Sequence, residues 1–521
     1  MIAEVSWRTI HGTSAPRQAA VIDLGSNSWR LVVFTFLPGA WWKETDELYE
    51  TVRIGEGLGA SGVLSEAALA RGLETLDVFG RFCHAHELSE DDICAVATSA
   101  IRDAANRQTL LDAARQRTGL RIEVLSAAAE ARYGYLAAVN TTTLTDGAVV
   151  ELGGGGLQLV AVEGRHDTRC ASVPLGALRL TERFLPGDGK ASGKAIRRLR
   201  AHVSEELQGL RWLPQTGRRM VAVGGAARNL ATAAQRRAGL PDTGVQGFAL
   251  TAEHLGELVD ELAALPPAER GSVPGIKPGR GDIILAAALT LQTVLAEGGF
   301  DALEVTEAGL REGVFLANTL LAGREPLFAD VRADAVRNLA TLYEADLPHV
   351  RHVADLSLQM HDSLVASGLM TASAGERELL WAAAMLHDIG MAVTYDDHHK
   401  HSYYLIMQGE LPGFDPRERA LIALICRYHR KGTPKLGEAA ALAQPGDEEL
   451  LTRCSAILRL AEHLERGRDG SVAAVRLRPG EEGVDLHLEA DGDLTLARWS
   501  VERYGDDSSF ERVFGRRLLI G

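Results

Sequence analysis

Apolar and polar positions alternate on either side of a short turn in two stretches of this chain. Ala20 to Val33 aligns without a gap onto Ala148 to Ala161. Each is an apolar run, a carboxylate (Asp23, Glu151), a turn of small residues and a second alternating run. Such alternation predicts a β-hairpin with an acid at the end of its first strand. After the first hairpin the spacing predicts a helix over 65–86, a strand over 93–98, a helix over 106–118 and a strand over 122–125. A further helix follows from about Ala127, with Ser126 as its N-cap. After the second come a strand over 220–223, the pair Gly224-Gly225, a helix over 226–236, a strand over 303–306 and a helix over 309–321. The apolar run Ile283 to Ala296 is too short for a membrane span and predicts a buried helix.

Strands alternating with helices, restarted once, predict α/β structure built by internal duplication. From Asp330 to Arg466 the apolar spacing is helical throughout. From Gly470 the alternation returns (Val475, Leu477; Val484, Leu486, Leu488; Leu494, Leu496) and predicts a small β-rich tail. The expected domains are 1–140, 141–322, 323–469 and 470–521, in keeping with roughly three or four domains for such a length.

With 46% hydrophobic and 24% charged residues, the composition is that of a soluble globular protein. A net charge of −15 argues against a general nucleic-acid binder. It leaves room for an anionic small substrate, because local fields decide binding. Basic residues cluster at Lys190, Lys194, Arg197, Arg198 and Arg200, and at Arg427, Arg430, Lys431 and Lys435. On composition alone these are solvated faces. The five scattered cysteines form no CxxC pair, and 1–18 has no apolar signal-like core, so a reducing, cytoplasmic setting without membrane attachment is expected.

Small residues at both turns let backbone N–H groups approach an anion closely. The acid beside each turn is a candidate ligand for Mg²⁺ or a water. Two hairpins facing each other would grip both sides of a phosphate chain.

The hairpins, the Gly-Gly strand–helix junction and the duplication resemble the actin/sugar-kinase/Hsp70 superfamily. Within it the chain is similar to the Ppx/GppA family of exopolyphosphatases and guanosine pentaphosphate phosphatases. The residues that carry this are Ile22 to Ser28, Ala97 to Asn106, Glu130-Ala131-Arg132, the glycine run after Glu151, and Leu310-Arg311-Glu312-Gly313. The resemblance implies two actin-like (ribonuclease H-like) domains, an all-α HD-like domain and a small α+β tail. It also implies Mg²⁺- or Mn²⁺-assisted hydrolysis of a terminal phosphoanhydride, with polyphosphate or pppGpp as substrate, and a homodimer. By resemblance Gly25, Ser26, Asn27 and Ser28 cradle phosphates, as do Gly153, Gly154, Gly155 and Gly156, with Gly224 and Gly225 beside them. Arg102 neutralises phosphate charge, Glu130 orients or deprotonates the attacking water, and Asp23 and Glu151 are the metal-side acids. The chain departs from the family at Glu151, Gly156 and Gln158, where relatives typically carry Asp, Ser and Glu.

In the helical segment His387-Asp388 follows an apolar helix and resembles the metal-binding signature of HD phosphohydrolases. The ligand set implied by that resemblance is His352, His387, Asp388, His401, His429 and Glu462. The alternative is a platform for dimerisation and polyphosphate binding with no metal. Three functions follow: a phosphohydrolase working between the first two domains, a polyphosphate or alarmone sensor with weak turnover, or a nucleotide phosphohydrolase centred on His387.

Overall fold

A computed structural model describes residues 15–504 and 507–520. The chain divides into two compact units, Met1–Val331 and Arg332–Gly521.

The first unit holds two sheets. In the first, β1 (Arg17–Leu24), β2 (Trp29–Leu37), β3 (Trp41–Glu50), β4 (Ile93–Ala97) and β5 (Ile122–Val124) lie in the order β3-β2-β1-β4-β5. In the second, β6 (Gly147–Leu152), β7 (Leu157–Glu163), β8 (His166–Val173), β9 (Met220–Val223), β10 (Phe248–Thr251) and β11 (Ala302–Val305) lie in the order β10-β11-β9-β6-β7-β8. Three antiparallel strands followed by parallel neighbours recur in both, so the duplication expected from the hairpins extends to the whole sheet. The registers match: Asp23 faces Arg30 across β1–β2, and Glu151 faces Gln158 across β6–β7. The third strand of each meander, β3 and β8, is polar and largely exposed, which is why no alternation announces it.

Apolar strand centres follow from burial on both faces. One face of the first sheet packs on helices α1 (Glu66–Ala85) and α2 (Arg107–Thr118) through Leu76, Phe79 and Leu110. Two further helices, α3 (Ala127–Thr141) and, later, the short one at Leu310–Phe315, cross between the sheets. Ser126 caps α3, accepting from the Ala129 N–H at 3.1 Å, as expected. Yet α3, which the sequence assigns to the first half, buries Tyr135, Leu136 and Val139 against Val149 and Val221 of the second sheet. The Leu310–Phe315 helix, assigned to the second half, packs Val314 and Phe315 on Val32 and Phe34 of the first. The two helices cross closely at Gly313, where a Cβ would overlap the Tyr133 carbonyl. Each half thus lends a helix to the other, and both helices start at the seam between the sheets. Of the intervening helices, α4 (Gly225–Arg237) leaves Gly224-Gly225, and α5 (Ile284–Gly298) is buried nearly all round, as predicted. The Leu310–Phe315 helix is α6.

The second unit is built on α7 (Leu347–Ala366), α8 (Glu376–Leu386), α9 (His398–Gln408), α10 (Pro416–Tyr428) and α11 (Asp447–Leu464). Its small sheet pairs β12 (Val472–Pro479) with β13 (Val484–Ala490), and β13 with β14 (Leu518–Ile520). Leu494 and Leu496, expected in a strand, instead precede and enter helix α12 (Thr495–Tyr504); Ala497 and Val501, four apart, turn inward on one helical face. A last helix, α13 (Asp507–Phe514), precedes β14. Among the described residues no helix is long and apolar enough to cross a membrane.

Candidate active site

Where the sheets meet, a cleft of about 910 Å³ opens. Its walls are the β1–β2 turn (Gly25 to Ser28), the β6–β7 turn (Gly153, Gly154), the start of α4 (Gly224, Gly225) and the start of α6 (Gly309, Leu310, Arg311). The turns approach one another closely: a Cβ on Gly154 would lie 3.3 Å from the Ser26 Cβ. Gly155 packs against Ser26 and Ser99 behind the opening, and Gly156 is buried beside Gln158, so neither lines the cleft. Two turns and two helix starts therefore border one space suited to an anion, although the Gly153 and Gly309 N–H groups already donate to the Gly156 carbonyl and the Glu312 carboxylate.

Three carboxylates face it. Asp23 and Glu151 are the penultimate residues of β1 and β6, and Glu130 sits in the first turn of α3. Burial raises the pKa of all three. For Asp23, Arg311 at 3.6 Å and Arg30 oppose the rise; for Glu130, Arg102 opposes it. Glu151 has the weakest relief. Burial, then Glu130 and Asp23, push it to about 8. Its Oε2 is buried with no hydrogen-bond partner and occupies the space a Cβ at Gly134 would fill. Glu151 is thus seated in a notch on α3, one turn beyond Glu130.

Four arginines unforeseen as site residues, Arg30, Arg228, Arg280 and Arg311, line the same cleft. Arg228 donates to the Glu307 carbonyl, and burial with nearby Arg311 lowers it to about 10. Arg311 sits between Asp23 and Glu312 (3.5 Å) and leaves its Nε without a hydrogen-bond partner. These cations come from distant segments: Arg30 lay within the quoted first hairpin and Arg311 within a quoted family motif, while Arg228 and Arg280 lay in neither. Arg102 is placed differently from expectation. Its Nη1 donates to Glu130 at 2.7 Å and to the Leu125 carbonyl at 3.0 Å, so it holds the candidate base rather than lining the cleft.

Asp23, Glu130 and Glu151 share this cleft, but among the described residues their oxygens do not form a set of three within 4.8 Å of one another. Asp23 and Glu151, from the two hairpins, are the carboxylates that would be available to a divalent cation, with the unpartnered Glu151 oxygen seated against Gly134.

The second unit holds another cluster. His349, His387 and Glu462 bring ligand atoms together, as do His387, Asp388 and His429. His349 Nε2 and His387 Nε2 each lie 3.2 Å from Glu462. His398 Nε2 lies 3.2 Å from Asp388 Oδ1 and 3.1 Å from His429 Nε2. The Nδ1 atoms of His387, His398 and His429 each face a backbone carbonyl, of Ala384, Tyr395 and Cys426, at 2.6, 2.9 and 2.7 Å. An Nδ1–H donating there leaves each Nε2 lone pair aimed inward. Two such lone pairs 3.1 Å apart require a positive charge between them. Asp388 and Glu462 raise the His387 pKa to about 9 against the burial that depresses it, so with no metal bound the positive charge beside them is a proton on that ring. The donor set fits a transition metal.

Two of the six expected ligands lie elsewhere. His352 turns away, 3.0 Å from the Val472 carbonyl and 3.4 Å from Glu465. His401 is half-buried on α9 outside the cluster. The histidines that converge are His349 and His398, each three residues earlier. Residues three apart share a helix face, so the error is one turn.

Two models of one family, the Ppx/GppA phosphatase family and Ppx/GppA phosphatase domain III, match residues 45–322 and 331–500. The chain is similar to the crystal structure of the Aquifex aeolicus member of that family at 26% identity, with 58% of this chain and 97% of the other covered and a TM-score of 0.50. It is also similar to an exopolyphosphatase from Cytophaga hutchinsonii at 22% identity, covering 60% of this chain and all of the other (TM-score 0.55), a likeness of fold. An exopolyphosphatase-like protein matches at 26% identity over 58% of this chain and 98% of its own length (TM-score 0.52). The two matches together span most of the chain; Glu130, Glu151, Arg228, Arg280 and Arg311 of the cleft fall in the first and the histidine cluster in the second, and the chain belongs to the Ppx/GppA phosphatase family.

Proposed function

We propose that the cleft of the first unit hydrolyses the terminal phosphoanhydride of polyphosphate, of pppGpp, or of both. The observation that supports this most directly is the convergence of three carboxylates and four arginines on two N–H-lined turns. Phosphoryl transfer asks a protein chiefly for charge neutralisation and a positioned water. Arg228, Arg280 and Arg311 neutralise the phosphate chain, and the backbone donors of both turns hold successive phosphates. Glu130 takes the proton of the attacking water. Its burial raises its proton affinity toward working pH, and Arg102 keeps it oriented. Asp23 and Glu151 hold Mg²⁺ or Mn²⁺, which when bound polarises the phosphoryl oxygens. The test is phosphate release from polyphosphate, pppGpp and ATP with Mg²⁺, by wild-type protein and Glu130→Gln. Release from none of them, or a variant as fast as wild type, refutes the reading.

The buried Gln158, whose amide has no hydrogen-bond partner, supports a second reading. The site would bind polyphosphate or an alarmone tightly while turning it over poorly. Tight binding without phosphate release would select it.

The inward-facing lone pairs of the second unit support a separate proposal, a divalent metal held by His349, His387, Asp388, His398, His429 and Glu462 in an HD-like centre. Metal analysis of protein purified without chelator tests it. Retention of every activity by His387→Ala would exclude that centre from catalysis.

A further inference from the structure

Beyond the six converging donors, a seventh side chain reaches the cluster of the second unit. Arg468 lies in the turn that follows α11. Its Nη2 donates to Asp388 Oδ2 at 2.6 Å, and its Nη1 to Asp346 Oδ2 at 3.3 Å. Asp388 is thereby divided. Oδ2 belongs to the guanidinium, while Oδ1 faces His398 at 3.2 Å and His387 at 3.6 Å.

The backbone at Arg468 makes this placement unusual. Its φ is +53°, a left-handed conformation that glycine adopts freely and a long side chain does not. Gly470, two residues on, is left-handed as well (φ +66°), yet the left-handed position at 468 is filled by an arginine. The turn itself is held without the guanidinium: the Arg468 N–H donates to the Glu465 carbonyl at 3.0 Å, and the Gly470 N–H to Glu465 Oε1 at 3.2 Å. The side chain is 36% exposed, so it has room to leave.

We propose that Arg468 is a resident cation of this cluster and limits it to one divalent ion. Two ions share an aspartate by taking one oxygen each, and here the second oxygen is already paired with a fixed positive charge. Like charge also repels an ion arriving on the His349 side, where Asp388 Oδ2 lies 3.8 Å from the His349 Nε2. With the guanidinium gone, Asp388 is free to bridge, with His349, His387 and Glu462 on one side and His398 and His429 on the other. The inference rests on the metal reading of the second unit.

The test uses the full chain and Mn²⁺. Arg468→Gly removes the guanidinium and suits the left-handed backbone, so its thermal midpoint should not fall below that of wild type. Equilibrium dialysis should show one Mn²⁺ more per chain in Arg468→Gly than in wild type, and that extra ion should vanish in Arg468→Gly/His387→Ala. Electron paramagnetic resonance should show a spin-coupled pair in Arg468→Gly only, which an isolated ion elsewhere in the chain does not give. Arg468→Lys, which keeps the charge, should behave as wild type. Equal Mn²⁺ content and spectra in wild type and Arg468→Gly, or a coupled pair in wild type, would overturn the role of Arg468. Loss of no Mn²⁺ from wild type on His387→Ala would overturn the metal reading beneath it.

Discussion

The β1–β2 and β6–β7 hairpins share one backbone and have different electrostatics. Both carry an acid as the penultimate residue of their first strand, both turn on small residues, and both place the acid opposite the first polar position of the return strand. In the first, that opposite residue is Arg30, and Arg311 stands 3.6 Å from Asp23. In the second it is Gln158, whose amide has no hydrogen-bond partner among the described residues, and Arg228 and Arg311 offset the burial of Glu151 only in part. Asp23 is accordingly compensated in place, whereas Glu151 is pushed to about 8 by burial and its neighbouring acids. The two hairpins keep one backbone geometry while their charge balance differs, so the halves are expected to fail differently when cut.

The largest effect is expected at the acid that serves both halves. Glu130→Gln should lower kcat for phosphate release by roughly 10²–10⁴-fold with little change in KM, as removal of a general base does. Asp23→Asn should cost roughly 10–100-fold, as loss of an ion's ligand shell does, and should leave Arg311 paired only with Glu312. On the other half, Glu151 must lose a proton to hold Mg²⁺. Wild-type Mg²⁺ affinity should therefore climb with pH up to about 8 and then level off, and Glu151→Gln should abolish that climb. A profile unchanged in the variant would show the two hairpins to be alike after all.

A smaller effect probes the notch. Alanine is the better helix former, so Gly134→Ala should not harm α3 itself. Its methyl displaces the Glu151 carboxylate instead, and activity should drop roughly 10-fold, since misplacement by about 1 Å suffices for such losses. Shortening the acid in Gly134→Ala/Glu151→Asp should restore part of it. A double variant no better than the product of its single changes would break the link.

The smallest effect is on stability. The folded pKa of Glu151 lies above its unfolded value, so the folded state holds that proton longer. The stabilisation is full below the unfolded pKa and is lost as pH rises toward about 8, the folded value. Without Mg²⁺, the fall in unfolding free energy between pH 5 and 8 should shrink in Glu151→Gln, by up to about 1.4 kcal/mol per pH unit. Denaturant midpoints at the two pH values read it.

What the sequence made legible was local. A hairpin, its acid and its glycine turn are contiguous, and so is an N-cap such as Ser126. Arg228 and Arg280 are not: each reaches the cleft from a separate segment, with only its chemistry to mark it. Exchange of α3 and α6 between the sheets was equally hidden, because an amphipathic face shows that a helix packs but not on what. The one-turn error at His352 had a readable signal. His349 aligns with the buried Val353, Leu356 and Met360, while His352 aligns with Asp355 and Gln359. At His401 the choice among His398, His399 and His401 had no such guide, since all three flank the same polar turn.

The seat at Gly134 sets a condition on this site. If relatives carry the shorter aspartate at position 151, as the family resemblance implies, lengthening it beside any larger residue at 134 drives the carboxylate out of place. A glycine there beside the shorter acid leaves only a small hollow. The longer acid at 151 therefore depends on a residue of a different element from its own motif. Transplanting the β6–β7 loop alone into a relative would carry the longer acid without the room it needs.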